Sequence, residues 1–126
     1  MLDSDCLIDF LKARPPAVSL LCRLYAQGDD LCVTDVVLAE VYSGLHEPDR
    51  SDAEEFMSRL EFLPTRPPTA VQAGIWRYQY ARSGRQLGVA DCLIAATAHA
   101  HSAVIVTGNV RDFPMPEVTL QQLPKS

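Results

Sequence analysis

Ala103-Val104-Ile105-Val106-Thr107, followed by Gly108-Asn109-Val110-Arg111-Asp112-Phe113, is the stretch that decides the fold. Four apolar residues and a β-branched threonine, with no polar alternation, read as a strand buried on both faces. That is how strands of a parallel sheet read when helices cover it. Just before it, residues 90–100 are rich in alanine and read as a helix suited to close packing. Asn109 and Asp112 follow the strand, where the working sites of open α/β sheets lie.

The same alternation extends toward the N-terminus. Residues 1–3 form a very short candidate strand, 6–12 a helix closed before Pro15 and Pro16, and 17–27 a second helix ending at Gly28. Residues 31–33 read as a strand. Thr34 or Asp35 can cap a helix reaching Leu45, with Val37, Leu38, Val41 and Leu45 as its apolar stripe. Residues 52–60 fit a helix and 62–64 a brief extended piece. A loop is expected at Pro64-Thr65-Arg66-Pro67-Pro68, and a longer helix over 69–83 carries Val71, Ile75, Tyr78 and Arg82 at helical spacing. A last strand is expected at 118–120. Strands alternating with helices predict an α/β fold, a three-layer α/β/α sandwich around a mainly parallel sheet, with residues 1–126 as one domain.

Composition narrows the function. Hydrophobic residues make up 48% and charged residues 21% of 126 positions, a globular balance. No apolar run approaches the roughly 18 residues of a membrane helix. Asp3, Asp5 and Asp9 fall where a signal peptide would be basic and then apolar, so a cytoplasmic chain without membrane attachment is expected. Cys6, Cys22, Cys32 and Cys92 have no paired spacing, and read as small buried hydrophobes in a reducing compartment rather than zinc or redox sites. The net charge of −5 argues against broad electrostatic coating of nucleic acid, so any nucleic-acid chemistry has to come from a local site.

Acidic residues fall near the predicted strand ends. Asp3 and Asp5 follow the first strand, Glu40 lies in the helix after the second, Asp91 in the first turn of the alanine-rich helix, and Asp112 after the strongest strand. Glu40 is the one charged residue in Val36-Val37-Leu38-Ala39-Glu40-Val41-Tyr42 and borders the apolar stripe; a carboxylate there is paired, metal-bound or protonated. A solvated flank or buried ion pair is the ordinary alternative. Asp91 gains from the helix dipole, although an aspartate there is also an ordinary capping residue. Gathered carboxylates raise one another's pKa, and an all-oxygen cluster suits a hard ion such as Mg²⁺, with Mn²⁺ possible.

Four segments together resemble the PIN-domain family, in particular the VapC-type toxins of toxin–antitoxin pairs: Leu2-Asp3-Ser4-Asp5-Cys6-Leu7-Ile8-Asp9, Leu38-Ala39-Glu40-Val41-Tyr42-Ser43-Gly44, Ala90-Asp91-Cys92-Leu93-Ile94-Ala95-Ala96-Thr97-Ala98, and Val106-Thr107-Gly108-Asn109-Val110-Arg111-Asp112-Phe113. They occur in order and cover nearly the whole chain. The resemblance implies Asp3, Glu40 and Asp91 as the acidic triad, with Asp112, or else Asn109, completing the quartet of catalytic and metal-binding residues. Many members carry a carboxylate where this chain has Asn109, and Asp5 stands where Asn or Ser is common. The implied activity is hydrolysis of RNA phosphodiester bonds by metal-activated water, with a cognate antitoxin protein and a homodimer as partners. Thr107 is expected to bond a site carboxylate or water, and Arg77, Arg82, Arg85 and Arg111 are candidate phosphate contacts. Trp76, Tyr78 and Tyr80 could serve an interface, with core packing expected for at least two of them.

Two other readings compete. A binding module that keeps the fold and has lost the chemistry finds its footing in Asn109. A phosphohydrolase of the DxD type finds one in Asp3-Ser4-Asp5, but it needs a lysine in the site, and the chain offers only Lys12 and Lys125. The histidines add little: His99 and His101 point to different sides of a helix, and His46 is expected to close its helix.

Overall fold

A computed structural model describes residues 1–125. Four three-residue strands, β1 (Cys32–Thr34), β2 (Glu61–Leu63), β3 (Ile105–Thr107) and β4 (Leu120–Gln122), alternate with six α-helices. The helices are α1 (Ser4–Leu11), α2 (Pro15–Ala26), α3 (Asp35–Ser43), α4 (Arg50–Met57), α5 (Pro67–Arg82) and α6 (Val89–Ala100). Short 3₁₀ turns cover Glu47–Asp49 and Val110–Asp112.

The strands form two parallel pairs, β1 with β2 and β3 with β4. Residues 1–3 join them. Leu2 N–H donates to Cys32 O, Val106 N–H to Met1 O, and Asp3 N–H to Val106 O, with Leu2 and Val106 paired in parallel. The order across the sheet is therefore β2, β1, residues 1–3, β3, β4. The chain's first residues lie at its centre, and the Met1 ammonium donates to Val104 O at 2.6 Å. All pairings are parallel, as the unbroken apolar character of 103–107 requires. Val33, Leu2, Ile105 and Val106 are buried, with Leu7, Val37, Val41, Ile94 and Ala95 from the flanking helices packed in the same core. This is the three-layer α/β/α arrangement expected from sequence.

Several boundaries differ from the sequence reading. Pro15 and Pro16 begin α2 instead of ending the segment before it, and Pro67 and Pro68 likewise begin α5. The first-turn N–H groups of a helix have no intrahelical acceptor, so proline removes nothing needed there. The last strand lies at 120–122 rather than 118–120, and β3 begins at Ile105, with Val104 still 42% exposed. His46 does not close α3; the helix ends at Gly44, and His46 precedes the first 3₁₀ turn. Cys22 is exposed on α2, whereas the other three cysteines are buried as expected.

On α5 the residues facing the core are Thr69, Ala73 and Trp76, while Val71, Ile75 and Tyr78 face solvent. Trp76 is buried beside His99 of α6, and Tyr80 packs partly against the core, so two of the three aromatics are packing residues.

Candidate active site

The site begins with the central position of residues 1–3. Asp3 ends that segment and is the N-cap of α1, accepting from Ser4 N–H through Oδ1 at 2.8 Å. Its Oδ2 accepts from the Thr107 hydroxyl at 2.7 Å, across 104 positions of sequence. The same hydroxyl oxygen accepts from Asn109 N–H at 3.0 Å. Thr107, fully buried at the end of β3, thus fixes the Asp3 carboxylate against the turn that follows the strand.

Asp5 is bound still more completely. Oδ1 accepts from Cys6 N–H at 2.7 Å, and Oδ2 accepts from Gly108 N–H at 2.8 Å and from the Asn109 side-chain amide at 3.0 Å. A side chain at 108 would put its Cβ 2.8 Å from Asp5 Oδ2, so glycine is what lets the turn close on Asp5. The resemblance leaves two candidates for the fourth acidic position, Asp112 and Asn109. Asn109 and Asp112 both line a cleft with Asp91, and the Asn109 amide is engaged in donating to Asp5. That Asp5–Gly108–Asn109 arrangement was not read from the sequence; the signal was the glycine between Thr107 and Asn109.

The cleft has a volume of about 520 Å³ and lies between the first turn of α6 with the loop before it, the turn after β3, and the chain after β4. Gly88 is the N-cap of α6, with no side-chain capping bond, so Asp91 is not spent on capping. Burial first, and then the charges of Asp112, Asp3, Glu40 and Asp5, push the Asp91 carboxyl up to about 6. These effects outweigh any help from the helix dipole. Asp3 is also raised, chiefly by burial with Glu40 and Asp112 adding to it, against the lowering effect of the Thr107 and Ser4 hydrogen bonds. Asp5 is raised by burial and by Asp3, opposed by its bonds from Gly108 and Cys6. Asp3, Glu40, Asp91 and Asp112, from four separated segments, therefore stand close enough to repel one another.

Glu40 supplies the test of what such a cluster could hold. Its Oε1 is buried and lacks any hydrogen-bond partner, and it takes part in no ion pair among the described residues. A carboxylate oxygen withdrawn from water without a donor is costly, and a hard cation is one species that would satisfy it. Among the described residues no three Asp, Glu, His or Cys side chains are grouped closely enough to hold a metal ion as they stand. The donors fit a divalent ion in chemistry and charge, and of the four only Asp91 and Asp112 line the cleft itself. Glu40→Gln is accordingly expected to raise the melting temperature of the metal-free chain by roughly 3 °C. Differential scanning calorimetry in chelator checks this, and a lower melting temperature would count against the repulsion.

The profile of the family described as PIN domain matches residues 1–114, and the chain belongs to that family. Among its relatives, the Haemophilus influenzae protein named Ribonuclease VapC2 is 32% identical over 118 residues, covering 90% of this chain and 88% of the relative. The Shigella flexneri protein named tRNA(fMet)-specific endonuclease VapC is 33% identical over 118 residues, with the same coverage. Among solved structures, DNA-bound VapBC from Salmonella typhimurium superposes with a TM-score of 0.85 at 28% identity, covering 98% of this chain and 97% of that one. The DxD phosphohydrolase reading has no support in these likenesses, and the Asp5 it relies on has both oxygens engaged in main-chain bonds.

Proposed function

We propose that this chain, acting as one domain over residues 1–126, is a toxin endoribonuclease that hydrolyses RNA phosphodiester bonds and is neutralised by a cognate antitoxin protein. The observation that carries the reading is that Asp91 and Asp112 line one cleft, that the charges of Asp3 and Glu40 reach Asp91, and that Glu40 Oε1 is buried and unpartnered. Family membership and relatives named as ribonucleases support it. Likeness to a VapBC assembly supports a protein partner, and the implied homodimer is part of the same proposal. Among the described residues no helix is long and apolar enough to cross a membrane, and cytoplasmic action on RNA is part of the same proposal.

Asp3, Glu40, Asp91 and Asp112 are the residues that would hold Mg²⁺, or Mn²⁺ in its place. When bound, such an ion lowers the pKa of water and neutralises charge on the phosphate. The chain's own contribution is placement. Thr107 and Ser4 N–H fix both oxygens of Asp3, so the carboxylate keeps one orientation without rotamer freedom. Asp5 ties the turn after β3 to the start of α1, keeping Thr107 and Asp112 in register with Asp3. Asp91, held near half-protonation around pH 6, becomes a full carboxylate at neutral pH only against the repulsion of its neighbours. A cation relieves that repulsion.

The test is RNA cleavage by the purified chain. Cleavage is expected with Mg²⁺ or Mn²⁺, lost in chelator and restored by the ion. Full activity in chelator would end the metal-dependent reading; no cleavage of any RNA, with the metal still bound, would favour the binding-module alternative.

A further inference from the structure

The acidic cleft has a second, cationic side. Arg85, Arg111 and Lys125 line it together with Asp91 and Asp112, and no aromatic side chain does. Four other arginines are engaged elsewhere: Arg14 pairs with Asp9, Arg59 with Glu55, Arg82 lies over Tyr78, and Arg77 Nε donates to Leu87 O, while Arg23, Arg50 and Arg66 lie outside the cleft. Among the described residues, Arg85, Arg111 and Lys125 form no ion pair, although carboxylates share their cleft. Arg85 also donates to the main-chain oxygen of Arg111. This bond links the loop to the second 3₁₀ turn, and the Arg77–Leu87 bond links the loop's other end to α5. The exposed Arg85 side chain thus lies at the rim of the cleft, beside the turn that carries Arg111 and Asp112.

A chain of net charge −5 repels a polyanion everywhere except where cations are concentrated. The scissile phosphate falls to the acidic side with its ion, so the neighbouring phosphates need direct cationic contacts. Without an aromatic platform the bases cannot be held by stacking in this cleft. We infer that Arg85, Arg111 and Lys125 form a subsite for the phosphates flanking the scissile one, gripping the RNA strand by its backbone. This rests on the nuclease reading above and assigns the substrate's path through the same site.

The experiment titrates a mixed-sequence single-stranded RNA oligonucleotide into the full chain carrying Asp91→Asn, over a range of salt concentrations. In that background Arg85→Gln and Arg111→Gln are each expected to weaken binding about tenfold at low salt. Each should also reduce the log–log salt slope by about 0.7, the value for one lost phosphate contact on a single strand. With Asp91 intact, the same changes are expected to raise KM by a similar factor and leave kcat within about threefold. Arg14→Gln, outside the cleft, is the control and should change neither. Arg111→Gln keeps the test independent of folding, because the main-chain oxygen that accepts from Arg85 is untouched. An unchanged slope and KM in a chain that still cleaves RNA overturns the subsite and leaves the nuclease reading standing. Weaker binding with an unchanged slope also overturns it, since that is a structural effect. An unsubstituted chain that neither binds nor cleaves RNA overturns both.

Discussion

Asp91→Asn is expected to reduce RNA cleavage by about a thousandfold at saturating Mg²⁺, while leaving the fold intact. The side chain keeps its size, the N-cap of α6 is Gly88 and involves no side chain, and the buried face of the helix, from Cys92 to Ala98, is untouched. What disappears is the carboxylate on which the charges of Asp112, Asp3, Glu40 and Asp5 converge. The substitution has a second signature in stability. The Asp91 pKa is raised by folding, from an ordinary 3.8 to about 6, so the folded chain binds this proton more tightly than the unfolded one. Its contribution is fully present below about pH 4 and is lost as pH rises through about 6. Asp3 and Asp5 are shifted in the same direction. The metal-free chain is therefore expected to lose melting temperature between about pH 4 and pH 6 through these groups, and Asp91→Asn to flatten that part of the profile. Saturating divalent ion should reverse the loss at neutral pH. Thermal melts across pH, with and without ion, check this; a variant with the same pH profile as the parent would mean that Asp91 is not under the repulsion inferred from the structure.

Thr107→Val should be nearly as damaging by a different route. Valine matches the shape of threonine in a fully buried position but removes the donor to Asp3 Oδ2 and the acceptor for Asn109 N–H. Leaving buried polar groups unsatisfied costs about 1–3 kcal/mol of stability. With Oδ2 released, the Asp3 carboxylate can rotate about its remaining bond to Ser4 N–H, and a misplacement of about 1 Å in a catalytic group can cost roughly a hundredfold in rate. Thr107→Ser, which keeps the hydroxyl, is expected to recover most of the activity. Steady-state kinetics and thermal melts of both variants test the claim: equal losses for serine and valine would show that packing at 107, and not its hydroxyl, is what matters.

Much of this was legible along the chain because it depends on neighbours in sequence. Strand 105–107 and helix 89–100 announce themselves through uninterrupted apolar and alanine-rich composition, and their burial follows from it. Glu40 was conspicuous because its local surroundings are hostile to charge, and the structure leaves its Oε1 without a partner. The prolines were misread because proline stops a helix from behind and starts one from in front, and only the path of the chain decides which.

The sequence by itself determined the α/β alternation and the parallel character of the sheet, since periodicity and side-chain chemistry are local properties, and it supplied the acidic candidates. Tertiary structure alone decided that residues 1–3 lie between β1 and β3, which brings Asp3 beside Thr107 across 104 positions. It also decided that the Asn109 amide donates to Asp5, and that Arg85, Arg111 and Lys125 line the cleft of Asp91 and Asp112 from their own segments. The reason is strand order: parallel strands meet through crossover connections, so which strand ends become neighbours depends on how the whole sheet packs and not on any window of sequence.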